Sequence, residues 1–227
     1  MAAQRKRKKR TGKPLTKARI IDAAVALADE SGMLSFSMRK LGQSLGVEAM
    51  SLYNHVANKD DILDAMLDHV MGQIDLPQPE QPWKEAMRTR AVSARKVCAR
   101  HPWATRLMDS RKTPGEAFLK HHNAVLGALR GAGFSMALTI HAFSLMDSYI
   151  YGFVLQEQSM PIDGEQGMAQ VADEFQQQMP QGVFPHMEEA AVFAMTSGYN
   201  HADEFEYGLD LILDALELRL KASTCAS

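Results

Sequence analysis

The chain has 227 residues, 46% of them hydrophobic, which is enough apolar content for the cores of two domains of ordinary size. No apolar run approaches the ~20 residues of a membrane span and no secretory signal follows the charged N-terminus, so we expect a cytoplasmic protein without a membrane segment. The two cysteines, Cys98 and Cys225, lack the paired spacing of a metal or redox site, which argues against a disulfide or a bound cofactor.

Charge is distributed unevenly along the chain. The formal net charge is only −2, yet residues 1–19 hold nine Lys or Arg and no acid, so the rest carries 16 basic against 27 acidic residues. We predict that residues 1–14 form a disordered basic arm that lies along phosphates or in a minor groove. A solubilising tail is the alternative. The acidic remainder would repel nucleic acid and restrict contact to the N-terminal end.

The first two predicted helices have recognisable caps and apolar stripes. Thr16 can cap a helix that ends at Ser31-Gly32, and Ser37 can cap a second helix that stops at Gly46. Both helices repeat apolar residues at three- and four-residue spacing, which predicts one buried face on each. These apolar positions are Ile20, Ala24, Leu27 and Ala28 in the first helix and Met38, Leu41 and Leu45 in the second.

A third helix is predicted from Glu48 to His55, directly after the turn at Gly46. Val47, Leu52 and Val56 would face inward, which leaves the N-terminal end and the outer flanks of this helix free to touch a ligand. Asn58 begins a fourth helix that reaches Ile74, with Asp61 completing a partial capping box. Two short helices separated by a glycine turn are typical of a helix-turn-helix.

At these residues the chain resembles the TetR family of transcriptional repressors, and the resemblance extends over roughly residues 15–74. It implies an all-α homodimer that places two reading helices in successive major grooves of a palindromic operator and that releases the DNA when an inducer binds its larger helical domain. The motifs that carry the resemblance are Ser37-Met38-Arg39-Lys40-Leu41, Leu45-Gly46-Val47, Ser51-Leu52-Tyr53-Asn54-His55-Val56 and Asn58-Lys59.

The resemblance also implies which residues contact DNA. Three residues fall where the family reads bases, and the others fall where it contacts phosphates or flanking bases or lie on the exposed flanks of the helix. The first group is Ala49, Met50 and Ser51, and the second is Arg39, Tyr53, Asn54, His55 and Lys59.

One position departs from the tetracycline-repressor branch, which has a glutamine where this chain has Ala49. Glutamine can hydrogen-bond adenine at two points, whereas alanine cannot. An Ala49-Met50 pair would favour apolar contact with thymine methyl groups. Arg39 and Ser51 would then be the residues that hydrogen-bond to bases. We therefore expect an operator that differs from the tetracycline one.

After Ile74 a proline-rich segment marks the junction with a second helical domain, which we place at residues 61–221 after a DNA-binding domain of 15–60, with a tail at 222–227. The helix at 136–157 has almost no charge and apolar residues all round, so it needs burial on more than one side. Together with the helix at 203–220 it would form a four-helix dimer interface, as in the family. The predicted helices are 83–100, 104–108, 115–129, 136–157, 165–178, 188–195 and 203–220.

The sequence predicts the chemical class of the effector but not its identity. Apolar and aromatic residues with a few polar groups are the usual composition of a small-molecule site, which points to a small apolar or aromatic molecule, although most of these residues must be core. By resemblance, Met108 and Gln156 fall near positions where the tetracycline repressor holds magnesium, and both are poor ligands for that ion, so we expect no metal. The candidate ligand-binding residues are Trp103, Met108, His122, His141, Met146, Tyr149 and Phe153.

Two other interpretations were weighed. An enzyme is disfavoured, because the chain has no HExxH, Walker loop or GxSxG motif and no close carboxylate pair in a catalytic context. A dimeric small-molecule-binding or scaffold protein without specific DNA activity stays open, because Ala49 removes one polar reader. The stretch 158–200 is either a lid over the effector site or a surface excursion.

Overall fold

A computed structural model describes residues 14–78, 80–111, 114–160, 167–180 and 182–225. The described residues form helices and connecting turns, with no strand among them, which confirms the all-α prediction. Most of the predicted basic arm lies outside the described residues. The helices are α1 (Lys17–Ser31), α2 (Met38–Ser44), α3 (Ala49–Leu52), α4 (Lys59–Met71), α5 (Trp83–Arg100), α6 (Pro102–Ser110), α7 (Glu116–Gly131), α8 (Met136–Ser159), α9 (Gly167–Gln178), α10 (Pro185–Thr196) and α11 (His201–Cys225), with a 3₁₀ turn at Met33–Ser35.

The predicted caps of the first helices are confirmed. The hydroxyl of Thr16 accepts from the backbone N–H of Arg19, and the Ser37 hydroxyl accepts from that of Lys40. At the start of α4 the Asn58 side chain accepts from the backbone N–H of Asp61. These caps satisfy donors that have no partner inside the helix, so they determine where each helix begins.

Helix α3 is shorter than predicted, ending at Leu52 instead of His55. The N–H of His55 bonds to the carbonyl of Leu52 at 2.9 Å, which tightens the last turn. Asn58 must be extended to cap α4, and the Asp61 carboxylate accepts from the N–H of Ala57 at 3.0 Å. The chain therefore leaves the helix early. The fourth helix also ends earlier than predicted, at Met71, and is followed by a turn through Ile74.

The larger domain differs from prediction mainly at helix ends. Pro102 supplies the first turn of α6, so this helix runs from Pro102 to Ser110 instead of 104–108. In the same way Pro185 starts α10 three residues early, and α11 runs from His201 to Cys225, so residues 222–225 of the predicted tail are helical. Helix α5 has its predicted bounds.

The core of the larger domain lies where α5, α7, α8 and α11 pack together, and α4 packs against α7 from the side of the N-terminal domain. Fully buried side chains from each of these helices fill it, which excludes water and supplies most of the stabilising free energy. These residues include Met66, Met87, Val125, Leu129, Met146, Ile150, Phe205 and Leu209.

Helix α8 is the nearly uncharged helix that the sequence predicts at 136–157. By length and composition alone it is apolar enough to cross a membrane. One such helix is weak evidence for a span, because the core helix of a globular domain has the same composition.

Candidate DNA-binding surface and effector site

The outer side of α3 and the turn after it are accessible. Met50 is 74% exposed and Tyr53 is 42% exposed, and Asn54 and His55 are also exposed. Ala49 and Ser51 are half-buried. A protruding thioether beside an aromatic ring and two polar groups can combine apolar contact with thymine methyl groups and hydrogen bonds to bases or phosphates.

Two cations flank this surface. Arg39 is exposed in the first turn of α2, and Lys59 is exposed in the first turn of α4. The ammonium of Lys59 lies 5.6 Å from the centroid of the Phe36 ring, an attractive cation–π geometry that restrains the side chain. These exposed cations lie in the helices directly before and after α3 in the chain and can neutralise DNA phosphates.

Gly42 positions α3 and was missed in the sequence analysis. Its carbonyl accepts from the N–H of Val47 at 2.9 Å, and a Cβ at this position would lie 2.9 Å from the Val47 oxygen and 3.1 Å from the Ala49 nitrogen. Only glycine lets α2 and the start of α3 approach this closely. A glycine in the interior of a predicted helix was the available signal, because it costs stability there unless a neighbour needs the space.

Helix α4 is joined to the larger domain by polar contacts at three levels. The Arg111 guanidinium pairs with the carboxylates of Asp60 at 3.0 Å and Asp64 at 3.1 Å. Further along, the Asp68 carboxylate accepts from the backbone N–H groups of Ala117 at 3.2 Å and Phe118 at 3.1 Å, so it caps α7. A movement of α7 or of the end of α6 would therefore be transmitted to α4.

The contact between the Asp68 carboxylate and the start of α7 also requires glycine at position 115. A Cβ at this position would lie 2.1 Å from a carboxylate oxygen of Asp68. This distance is far below van der Waals contact, so any side chain at residue 115 would push Asp68 away from the helix that it caps.

The candidate effector residues occupy several different environments. Trp103 is buried at the boundary with the N-terminal domain, where its indole N–H donates to Asp29 at 2.6 Å, and it lines a cleft of about 490 Å³ beside α1. Met108 is half-buried on α6, whereas His141 is exposed on α8. Met146 is fully buried core. These four are not brought together in one site.

Tyr149 and Phe153 pack against α11. The Tyr149 hydroxyl contacts the backbone carbonyls of Glu204 at 3.0 Å and Phe205 at 3.1 Å, and its ring stacks on that of Phe205. Phe153 stacks on the imidazole of His201, with ring centroids 4.8 Å apart. Both residues thus hold α8 against α11, a packing role that does not depend on a ligand.

His122 belongs to an aromatic cluster on α7 and α8. Its ring lies between Phe118, 4.0 Å away by ring centroids, and Phe143, 4.5 Å away. Its Nδ1 donates to the Phe118 carbonyl at 3.2 Å. All three side chains are half-buried, and the cluster presents flat π surfaces within the larger domain.

A buried polar cluster lies beside these rings and centres on Arg90, which is fully buried. Its Nε donates to His121 Nε2 at 3.1 Å, and its NH2 pairs with the Asp147 carboxylate. Arg90 NH1 and His121 Nδ1 have no hydrogen-bond partner among the described residues. Buried polar atoms of this kind need an explanation, because an unsatisfied donor is costly.

The pKa values of this cluster are displaced by burial. Burial, together with the positive charge of Arg90 and the neighbouring His122, lowers the pKa of His121 to about 3, so its imidazole is neutral at physiological pH. Burial and the nearby Asp147 charge raise the pKa of the Tyr151 phenol and outweigh the opposing effect of its hydrogen bond with Arg90, so the phenol keeps its proton. Arg90 interrupts the inward stripe of Trp83, Met87 and Val97, and that interruption was the sequence signal that we missed.

The residues considered for a metal do not fit one. Among the described residues no group of three His, Cys, Asp or Glu side chains is placed to hold a metal ion. Met108 is half-buried and Gln156 is exposed, and neither offers the charged oxygen ligands that magnesium prefers.

Comparison with known families settles the class of protein. A family model described as tetracyclin repressor-like, C-terminal domain, matches residues 76–220, and one described as bacterial regulatory proteins, tetR family, matches residues 20–66. The chain belongs to the tetR family. Members of this family are transcriptional regulators with a helix-turn-helix domain and are not enzymes, so the enzyme interpretation is excluded.

Individual relatives agree with the family assignment. The chain is 32% identical over 224 residues to the HTH-type transcriptional repressor DrrR1 of Streptomyces coeruleorubidus, covering 94% of this chain and 82% of that protein. It is 39% identical over 149 residues to an HTH-type transcriptional regulator of Saccharopolyspora erythraea, which is 65% of this chain but only 63% of that relative's length.

Solved structures show the same fold. ActR from Streptomyces coelicolor, without ligand, superposes with a TM-score of 0.76 at 26% identity, covering 93% of this tetR-family chain and 99% of that one. ActR in complex with actinorhodin superposes with a TM-score of 0.75 at 26% identity, covering 92% and 99% of the two chains.

Proposed function

We propose that this tetR-family chain is a ligand-responsive repressor that binds a palindromic operator in the cytoplasm as a homodimer and is released by a small apolar or aromatic molecule. The observation that carries this proposal is the polar connection of α4, which begins beside the exposed α3 and is joined to α6 and α7 through Arg111 and Asp68. Supporting this, DrrR1 is named a repressor, and ActR has been solved with actinorhodin.

The operator contacts follow from the exposure of α3. Met50 protrudes furthest and would contact thymine methyl groups together with Ala49, while Ser51 would offer one hydrogen bond. The exposed Arg39, Tyr53, Asn54, His55 and Lys59 would hold phosphates or flanking bases. The half-buried state of Ala49 limits it to a minor contact.

The dimer interface would use the outward stripes of α8 and α11. Apolar side chains remain exposed along both helices, and the α8 stripe also contains Ser144, Ser148 and Gly152, whose small size permits close helix approach. Pairs of helices from each subunit would then form a four-helix bundle that covers this surface. The exposed apolar residues are Met136, Ile140, Leu145 and Leu155 on α8 and Tyr207, Leu211 and Leu218 on α11.

Effector binding would act on the spacing of the two α3 helices. Successive major grooves lie about 34 to 36 Å apart, so a change in the tilt of α4 prevents both reading helices from docking together. Because the coupling is reciprocal, operator DNA would weaken effector binding by the same factor. Effector binding between α5, α7 and α8 would act on α4 through the α7 N-terminus that Asp68 caps.

The test is an electrophoretic mobility shift with DNA from around the chain's own gene, at two salt concentrations and with excess non-specific competitor. We expect a discrete, competitor-resistant shift with a steep salt dependence. The double variant Tyr53→Ala/Lys59→Ala should lose this shift and still dimerise. Lys96→Ala, an exposed cation on α5, is the matched control and should bind as the parent does.

A scaffold without specific DNA activity predicts the opposite pattern. Its binding would vanish with competitor, and Tyr53→Ala/Lys59→Ala would make no difference. That pair of results would reject the repressor function.

A further inference from the structure

We propose that Arg90 and His121 together bind a neutral carbonyl oxygen of the effector, so that the effectors of this chain are aromatic molecules bearing a carbonyl group. This inference rests on the proposed function, because it names the class of molecule that would occupy the larger domain. It depends on the direction of the hydrogen bonds in the buried cluster, on its charge balance and on the rings beside it.

The two unpartnered atoms of the cluster are both donors. An arginine side chain has only donors, so His121 Nε2 must accept the 3.1 Å hydrogen bond from Arg90 Nε. The proton of the neutral imidazole is therefore on Nδ1. That N–H and Arg90 NH1 are both buried without a partner among the described residues. The Tyr151 phenol also hydrogen-bonds Arg90 but leaves NH1 without a partner, so the group that completes the cluster must be an acceptor.

The acceptor should carry no charge. Arg90 is already paired with Asp147, and burial lowers the pKa of His121 to about 3, so the cluster as a whole is close to neutral. A carboxylate or phenolate would add an uncompensated negative charge next to Asp147 in a buried environment, which is costly. A carbonyl oxygen can accept from both donors without this cost.

The side chains around the polar cluster favour an effector with a flat aromatic ring. The Arg90 guanidinium carbon lies 5.9 Å from the centroid of Phe143, and His122 lies between that ring and Phe118. Aromatic rings pack against such surfaces by offset or edge contacts. An aromatic ketone, quinone or amide therefore matches both the rings and the donors, whereas an aromatic hydrocarbon matches only the rings.

The test compares three probes of similar size and shape, 2-acetylnaphthalene, 2-ethylnaphthalene and 2-naphthoate, by calorimetric titration of the full-length protein without DNA. We expect the ketone to bind about tenfold or more tightly than the hydrocarbon, because the hydrocarbon leaves both donors unpaired, and more tightly than the carboxylate. A crystal structure of the ketone complex should place its oxygen about 3 Å from Arg90 NH1 and His121 Nδ1.

Variants separate recognition from folding. Arg90→Met/Asp147→Leu removes the charged pair as a unit, and His121→Phe removes the second donor while keeping a ring. The ketone preference over the hydrocarbon should fall from about tenfold to about threefold in each variant, because each variant keeps one of the two donors. Lys96→Gln, exposed on the same helix, should retain it. Circular dichroism checks that each variant is helical.

Several results would overturn the inference: equal binding of ketone and hydrocarbon, tighter binding of the carboxylate, no binding of the ketone at its solubility limit, or an ordered water on both donors with the ketone elsewhere. Because the titration contains no DNA, its outcome does not depend on the repressor function. A missing operator shift combined with a ketone preference would reject the proposed function and leave this recognition in place.

Discussion

At the residue scale, two glycines and two buried polar side chains depart from the apolar packing around them. Gly42 and Gly115 are needed because neighbouring groups lie where a Cβ would be, while Arg90 and His121 are buried with incomplete hydrogen bonding. Gly42, Arg90 and His121 are exceptions to the apolar pattern of their helices, and Gly115 is the N-cap residue directly before α7. They lie at the three places on which the proposed function depends: the contact between α2 and α3 in the DNA-binding domain, the contact between α4 and α7, and the proposed effector site.

Gly42→Ala should weaken both folding and DNA binding. The new Cβ would lie 2.9 Å from the Val47 carbonyl oxygen, so α3 must shift away from α2, at a cost of about 1 to 3 kcal/mol in the free energy of unfolding. Urea unfolding and operator titration measure the two effects. Gly127→Ala is the control, because the added Cβ would meet no described atom within 4 Å and should be neutral or stabilising. Equal behaviour of the two variants would contradict this account of Gly42.

The stability of the protein should depend on pH through His121. Its folded pKa, about 3, is below the ordinary value of 6.5, so between these values the unfolded chain binds the extra proton and the folded chain does not. This contribution is fully present at pH 7 and is lost progressively as the pH falls below 6.5. Urea midpoints at pH 7 and pH 5 should therefore differ less in His121→Phe than in the parent. His141 is exposed on α8, so His141→Gln should show the same difference between the two urea midpoints as the parent. If His121→Phe also showed the parent's difference, the pH dependence would not come from His121.

At the element scale, α4 connects the two domains through its acidic residues. Asp60, Asp64 and Asp68 lie on successive turns, and each faces a group of α6, α7 or the segment between them. Asp61, one residue off this row, instead pairs with Lys17 of α1 at 2.9 Å, and this pairing together with the Ala57 N–H lowers the pKa of its carboxyl. Helix α4 therefore contacts α1 through Asp61 and the larger domain through the row of Asp60, Asp64 and Asp68. These separate contacts let it connect the two domains.

Asp68→Ala should loosen the α4–α7 contact. Loss of a capping carboxylate costs about 1 kcal/mol, and the first turn of α7 would exchange its amide hydrogens faster. Hydrogen exchange of residues 115–120, followed by mass spectrometry, measures this directly. Gly115→Ala should give the same local effect, because its Cβ would displace the same carboxylate. Asp173→Ala on α9 serves as the control, and unchanged protection in both Asp68→Ala and Gly115→Ala would exclude the coupling route.

At the scale of the whole molecule, α8 and α11 both leave large apolar side chains exposed. Leu211 is 55% exposed and Ile140 is 50% exposed, and both lie on stripes that continue along their helices. Contiguous apolar patches of this kind on a folded chain mark an interaction surface. In the proposed homodimer, a second copy of the chain would cover both stripes.

Ile140→Glu/Leu211→Glu should dissociate the proposed dimer, because each carboxylate would have to be buried in an apolar interface. Sedimentation at micromolar concentration should show monomer, and operator affinity should fall because each half-site then binds independently. Leu34→Glu, a fully exposed position outside these helices, should remain dimeric. A dimer in the first variant would place the interface elsewhere.

The sequence by itself determined the helical class, the caps at Thr16, Ser37 and Asn58 and the family, because caps and apolar spacing are local signals that need no partner. Tertiary structure decided the rest. The early end of α3 depends on how α4 begins, the need for Gly42 depends on the close approach of α3, and the cluster at Arg90 joins residues from three helices. The candidate effector residues lie in several different environments for the same reason. Helical spacing predicts which face of a helix points inward, but it does not predict which residues of different helices contact each other.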